Sequence, residues 1–201
     1  MNVLVNSPIK KTLFAAAVVI GAGGANIAAA APQAYVFDAS HSQVLFSYNH
    51  LGFSTTYGMF SGFDGAISFD VEDPAASTVT VSMPLKSMLT GWEARFGHFM
   101  SKDFFDATDD EMVSFTSTGI EVTGENTALI TGDLEVNGIT KSVVLITTMN
   151  QMGTHPVAGK EWLGFDATTT LNRTDFGVGA FAPFVGDEVT LKISIEASKV
   201  E

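Results

Sequence analysis

Cysteine is absent from the 201-residue chain, which removes disulfides, thiolate nucleophiles and Cys-based zinc sites together. Basic residues are few: 10 Lys+Arg stand against 22 Asp+Glu, a formal net charge of −12. A nucleic-acid binder meets phosphate with a basic face, so no nucleic-acid partner is expected. Histidine is scarce as well. His41, His50, His98 and His155 are the whole set; none pairs at i, i+2 or i+4, and no His-Glu-x-x-His sequence occurs. That spacing supports no metal centre, and no Gly-x-Ser-x-Gly elbow marks a serine nucleophile. The expectation is a chain without catalytic residues, bound metal or cofactor.

The longest apolar segment is short and lies at the N-terminus. Lys10 and Lys11 precede Thr12–Ile20, and a small-residue run ending in Ala-Ala-Ala-Ala-Pro follows. A positive n-region, an apolar h-region and an Ala-x-Ala site make a secretory leader, with cleavage after Ala30. The segment falls short of the ~20 residues a membrane span needs, and Gly21, Gly23 and Gly24 interrupt it. Losing residues 1–30 removes two lysines and no acid, taking the net charge from −12 to −14. The mature chain, 31–201, reads as one acidic, periplasmic domain that does not span the membrane.

Phe (16) and Gly (19) are abundant, a composition that suits many short strands around an aromatic interior. His41–Asp70 organises the rest. Val44, Phe46 and Tyr48 alternate with Gln43, Leu45, Ser47 and Asn49, and Phe63, Ile67 and Phe69 mark a second arm; period-2 alternation signals strands with two unlike faces. This stretch reads as two long strands joined by a Gly/Ser/Thr-rich bend. Tyr35–Asp38 starts a strand before it. Thr78–Leu85, Met112–Val122, Ala128–Val136, Ile139–Met149, Leu163–Asn172 and Val189–Ala197 follow, with a hairpin at Asn137-Gly138. Between Ser87 and Asp106 the period changes: Trp92, Phe96, Phe99 and Met100 fall at helical spacing, with Thr90 or Ser87 as the cap. The fold class expected is all-β, an antiparallel barrel of about eight strands with one short helical insertion that plugs or covers an end. Ser117, Gly132, Ala167 and Thr169 stand where a solid core would carry larger side chains, which predicts an internal cavity.

Asp38–Phe46, His50–Asp70, Ser101–Asp106, Val113–Val122, Gly132–Leu145 and Asn172–Val178 together resemble the YceI-like family over nearly the whole mature chain. The resemblance implies an exported bacterial protein with a lipocalin-like barrel, often dimeric, that holds a long isoprenoid in an internal tunnel. The family often carries Arg-Asp-x-His-Leu before its Phe-Phe pair. Here Arg95 and His98 match, but Phe96 replaces the Asp and Phe99 the Leu, which bears on the choice of ligand.

On this reading the tunnel wall is formed by Phe46, Tyr48, Phe63, Ile67, Phe69, Val81, Met83, Phe115, Leu134, Leu145, Phe165 and Leu171. Trp92, Phe96 and Phe99 form the plug, and Tyr57, Arg95 and His98 meet the head group. His41 and His50 read as hydrogen-bonded strand-end residues, Asp109-Asp110-Glu111 as a solvated turn, and Arg173–Asp175 as an ion pair. Two other classes remain open: an enzyme acting on an isoprenoid or hydrophobic amide through His98 and a carboxylate, and a packed barrel acting through protein contacts.

Overall fold

The computed structural model describes residues 31–201, so the leader expected at 1–30 lies outside them. Ten strands occur: β1 (Gln33–Phe37), β2 (Gln43–His50), β3 (Ser54–Phe60), β4 (Asp64–Phe69), β5 (Thr78–Pro84), β6 (Met112–Gly124), β7 (Thr127–Val136), β8 (Ile139–Thr154), β9 (Glu161–Asn172) and β10 (Val185–Lys199). Their order, β1-β4-β5-β6-β7-β8-β9-β10 with β10 paired back to β1, closes an eight-stranded barrel. Every pairing is antiparallel.

The closing edge of β10 is divided. β1 takes its C-terminal end (Phe37 opposite Ala197), while β2 takes Val185–Ser194 and carries β3 on its far side. The chain passes from β1 to β2 through a corner at Asp38–Ser42. There the Asp38 amide donates to the Glu196 carbonyl at 2.9 Å. The Asp38 carboxylate accepts from the Ser40 amide at 2.9 Å and meets His41 Nδ1 at 2.6 Å.

His41–Asp70 therefore contains three strands, not two. The first bend is confined to Leu51-Gly52-Phe53, where Leu51 (φ 57°) and Gly52 (φ 78°) turn left-handed and Asn49 Oδ1 accepts the Gly52 amide at 2.7 Å. Ser54–Tyr57 resumes as strand. Its alternation was hidden because Thr56 and Gly58 are small. Gly58 makes room there: a Cβ would lie 2.1 Å from the Phe46 ring, which crosses it from β2.

Elsewhere the period-2 pattern predicts the inward face. Val79, Val81 and Met83 on β5, and Val189, Leu191, Ile193 and Ile195 on β10, all point into the barrel. On β6 the parity changes. Val113 and Phe115 face in before a register shift between Ser117 and Gly119, and Ile120 and Val122 face in after it, as an extra residue in one strand demands. Ser117 consequently sits at the wall, accepting the Val79 amide at 2.9 Å. The β7–β8 hairpin turns at Asn137 (φ 53°) and Gly138 (φ 68°), the geometry that Asn-Gly favours.

The helical segment is one short helix, α1 (Glu93–Phe99), with Trp92 at its N-cap and no side-chain cap. Thr90 does not cap it; its hydroxyl instead donates to the Trp92 carbonyl at 2.8 Å. Phe96, Phe99 and Met100 pack onto the main apolar cluster. A second cluster of Tyr35, Ile67, Phe69, Leu163 and Ala197 fills the opposite end. Tyr35 is fully buried, stacks edge-on to Phe69, and donates its hydroxyl to Glu161. Burial and that bond push the Tyr35 phenol well above its ordinary range.

Two predictions follow from this packing. At Gly132 a Cβ would stand 2.3 Å from the Phe115 ring and 2.6 Å from the backbone oxygen of Thr116. A ring can swing away but the backbone cannot, so Gly132→Ala should cost about 1–3 kcal/mol, read as a lower urea midpoint. Gly58→Ala, opposed by a ring alone, should cost less; an equal loss would contradict the assignment. At the corner, the Asp38 bond raises the His41 pKa above 6.5 and lowers that of Asp38 below 3.8. The His41 contribution is present below pH 6.5 and lost as pH rises through its folded pKa. The Asp38 contribution is present above pH 3.8 and lost as pH falls through its folded pKa, so the clip is fully formed between those values. NMR titration should show His41 returning toward 6.5 in Asp38→Asn.

Candidate ligand-binding site

Among the described residues, a cavity of about 840 Å³ runs inside the barrel. Its wall is largely apolar because most inward positions are Val, Leu, Ile, Phe or Met, with Ser54, Thr56, Thr147, Ala167 and Thr169 as smaller or polar exceptions. From Phe165 to Leu171 along β9 is six residue steps, roughly 20 Å at ~3.3 Å each. Both ends of that path belong to the lining.

Phe46, Tyr48, Phe63, Ile67, Phe69, Val81, Met83, Phe115, Leu134, Leu145, Phe165 and Leu171 all line the cavity, and Trp92, Arg95, His98 and Phe99 do so at the α1 end. Ala167 and Thr169 line it too, as their size suggests, whereas Gly132 lies beneath the Phe115 ring. Two expected residues fall elsewhere. Tyr57 pairs with Ser47 on β2, so it shares the outer face of the β2–β3 hairpin and is 64% exposed. The strand register, hidden by the misplaced bend, decides this. Phe96 packs against the core rather than the cavity; α1 turns Phe99 toward the opening instead.

The mouth is built where α1 meets the loop between β9 and β10. Phe99 packs on Tyr48 (6.3 Å between ring centroids) and Phe104 (5.2 Å), and His98 meets Phe104 and Phe181. Arg95 donates to the Thr90 carbonyl at 3.0 Å and lies 6.0 Å from the Trp92 ring. His98 Nε2 is 3.2 Å from Asp103 Oδ2 with both side chains partly exposed, the imidazole–carboxylate pair an acid–base role would use.

Arg173 was missed as a lining residue. It does not pair with Asp175. Its guanidinium lines the cavity and donates to four carbonyls: Nε to Gly186 (2.9 Å), Nη1 to Val178 (2.6 Å) and Ala180 (2.9 Å), and Nη2 to Val185 (2.9 Å). Burial holds its pKa below the usual guanidinium value, while Asp187 and Tyr48 act in the other direction. The sequence signal was present: a Gly/Phe-rich excursion offers backbone carbonyls with few donors of its own to satisfy them.

Asp38, His41 and Glu196 place ligand atoms within 4.8 Å of one another outside the barrel. Each is already engaged: Asp38 with His41 and Ser40, and Glu196 with Trp162 Nε1 at 2.8 Å. The cluster ties the β1–β2 corner to β10. His50, the other strand-end histidine, lines the mouth. Among the described residues no helix is long and apolar enough to cross a membrane.

Comparison with known proteins agrees with this architecture. A UPF0312 protein of Pseudomonas savastanoi pv. phaseolicola is 38% identical over 188 residues, covering 94% of this chain and 97% of the relative. The crystal structure of Burkholderia cenocepacia BcnA superposes with a TM-score of 0.71 at 25% identity, covering 80% of this chain and 98% of that one. A polyisoprenoid binding domain from Saccharophagus degradans, implicated in plant cell wall breakdown, matches with a TM-score of 0.65 over 84% of this chain and 99% of its own; at 12% identity the likeness is one of fold. The YceI-like domain model matches residues 35–197, and with the barrel and its relatives this places the chain in the YceI-like family.

Proposed function

We propose that this protein binds a long-chain isoprenoid or a comparable amphiphilic lipid inside its barrel and carries or sequesters it in the periplasm after losing residues 1–30. The observation that carries the reading is the cavity: about 840 Å³, apolar along its length, and opening beside α1. A fold shared with a polyisoprenoid binding domain supports it. The tail is held by area, each buried methylene contributing about 0.8 kcal/mol against the cost of association and ordering. Polar groups at the mouth set which head is accepted. The role is binding rather than catalysis, and the partner is the lipid itself.

Mass spectrometry of the organic extract from protein expressed with its leader and purified without detergent should return a stoichiometric long-chain lipid. An empty extract, together with no uptake of added lipid, would instead support a barrel acting through protein contacts. Thr169 lines the middle of the wall and keeps part of its surface free. Thr169→Trp should therefore cut lipid uptake several-fold while leaving the thermal transition cooperative. Undiminished uptake would displace the tunnel from this path.

A further inference from the structure

We propose that the rim of the cavity docks on a lipid bilayer with neutral or zwitterionic head groups, so that a lipid passes between membrane and barrel without crossing water. The inference rests on the lipid-binding reading and names the surface with which that lipid is exchanged. Among the described residues, every exposed phenylalanine and tryptophan lies in three segments beside the opening. Phe53 (90% exposed) tips the bend between β2 and β3. Phe181 (55%) and Phe184 (77%) stand in the loop between β9 and β10, and Trp92 (64%) precedes α1. At the far end the exposed large side chains are single aliphatics, Val71, Val122 and Val157.

The three segments meet. Val185 pairs with His50, which sets Phe184 next to the Leu51-Gly52-Phe53 bend. The Phe181 carbonyl accepts the Val185 amide at 3.0 Å, and the Phe181 ring lies 5.9 Å from that of His98 on α1. His50, Ser54, Trp92, His98, Phe181 and Val185 all line the cavity, so the exposed rings border its opening. An isolated exposed apolar side chain is ordinary, but rings gathered about one opening mark a contact surface. Position and charge decide what that contact is. A chain leaving a bilayer for the barrel stays in apolar surroundings only if the rim sits in the membrane interface, where Trp and Phe are favoured. The three segments carry Glu93, Asp103, Asp187 and Glu188 against Arg95 and Lys102. No basic run draws them to anionic lipid. Insertion of the rings holds the rim, and an anionic surface repels this acidic chain.

The test uses Trp92 as its reporter. Trp162, the other tryptophan of the chain, stands at the opposite end of β9 and donates to Glu196, so in Trp162→Phe the emission comes from the rim alone. Phosphatidylcholine vesicles should move that emission to shorter wavelength, and added salt should not reverse the shift. Replacing part of the phosphatidylcholine with phosphatidylglycerol should weaken binding. Phe53→Ser combined with Phe184→Ser removes two rings that lie outside the cavity lining. The vesicle partition coefficient should then fall by about tenfold or more, as lost burial of two rings requires, while uptake of farnesol added without vesicles stays unchanged. Vesicle binding that is absent, that needs phosphatidylglycerol, or that survives loss of both rings would overturn the proposal and, with farnesol still taken up, leave the tunnel standing. A lipid-free dimer that the double variant dissociates would also overturn it, giving the rim to a second copy of the chain. No farnesol uptake by the unaltered protein would overturn the lipid-binding reading itself.

Discussion

The structure depends on how one strand edge is shared. β10 offers a single row of donors and acceptors, and two successive strands occupy it. Where β1 pairs, the barrel closes through β4, and Tyr35, Ile67 and Phe69 converge on Leu163 and Ala197 to fill that end. Where β2 pairs, the sheet runs on into β3 rather than back to β4, whose neighbours are β1 and β5. The free side of β3 makes only a bridge, Met59 to Leu89, just ahead of α1. One end is thus closed by strands and the other covered by a short helix and a loop. The asymmetry follows from the Asp38–Ser42 corner, which ends one pairing and begins the next.

Room inside the barrel depends on small residues lying under large ones. Phe46 crosses Gly58 and Phe115 crosses Gly132. In each pair the ring lies close against the neighbouring strand because that strand carries no Cβ. With side chains at both glycines the rings would move inward. The same wall holds Ala167 and Thr169 next to Ile193 and Leu191 on β10. Aromatic content alone does not make a packed core; its distribution against glycine decides whether a space remains.

Much of this was legible in the sequence, and its misses share physical causes. Long strands with clean alternation, such as β10, reveal their inward face because period 2 admits no other reading. β3 failed because Thr56 and Gly58 carry too little apolar surface to register as a strand face. That one error moved Tyr57 from the outer surface to the mouth. The α1 stripe identified a helix but not its length, since seven residues do not fix which member of a stripe faces the opening; Phe99 does and Phe96 does not. For Arg173 the signal lay in composition, a Gly/Phe-rich excursion with carbonyls to satisfy, and not in spacing. Its partners are backbone carbonyls spread over Val178–Gly186, and local spacing to Asp175 suggested a simpler pairing.

The size of the cavity bears on why such a barrel exists. Engineered holes in solid cores cost ~24 cal/mol per Å³, which at about 840 Å³ would be on the order of 20 kcal/mol. A domain's whole stability is ~5–15 kcal/mol, so this space cannot be an ordinary packing defect. The barrel tolerates it because its strands are joined into a closed hydrogen-bonded ladder that does not need the middle filled, and because two apolar clusters hold the ends. A bound tail would replace that missing contact and stabilise the folded state as RT ln(1 + [L]/Kd). The gain would come from an apolar guest along the whole wall, since the lining is apolar from Phe165 on β9 to Phe99 on α1.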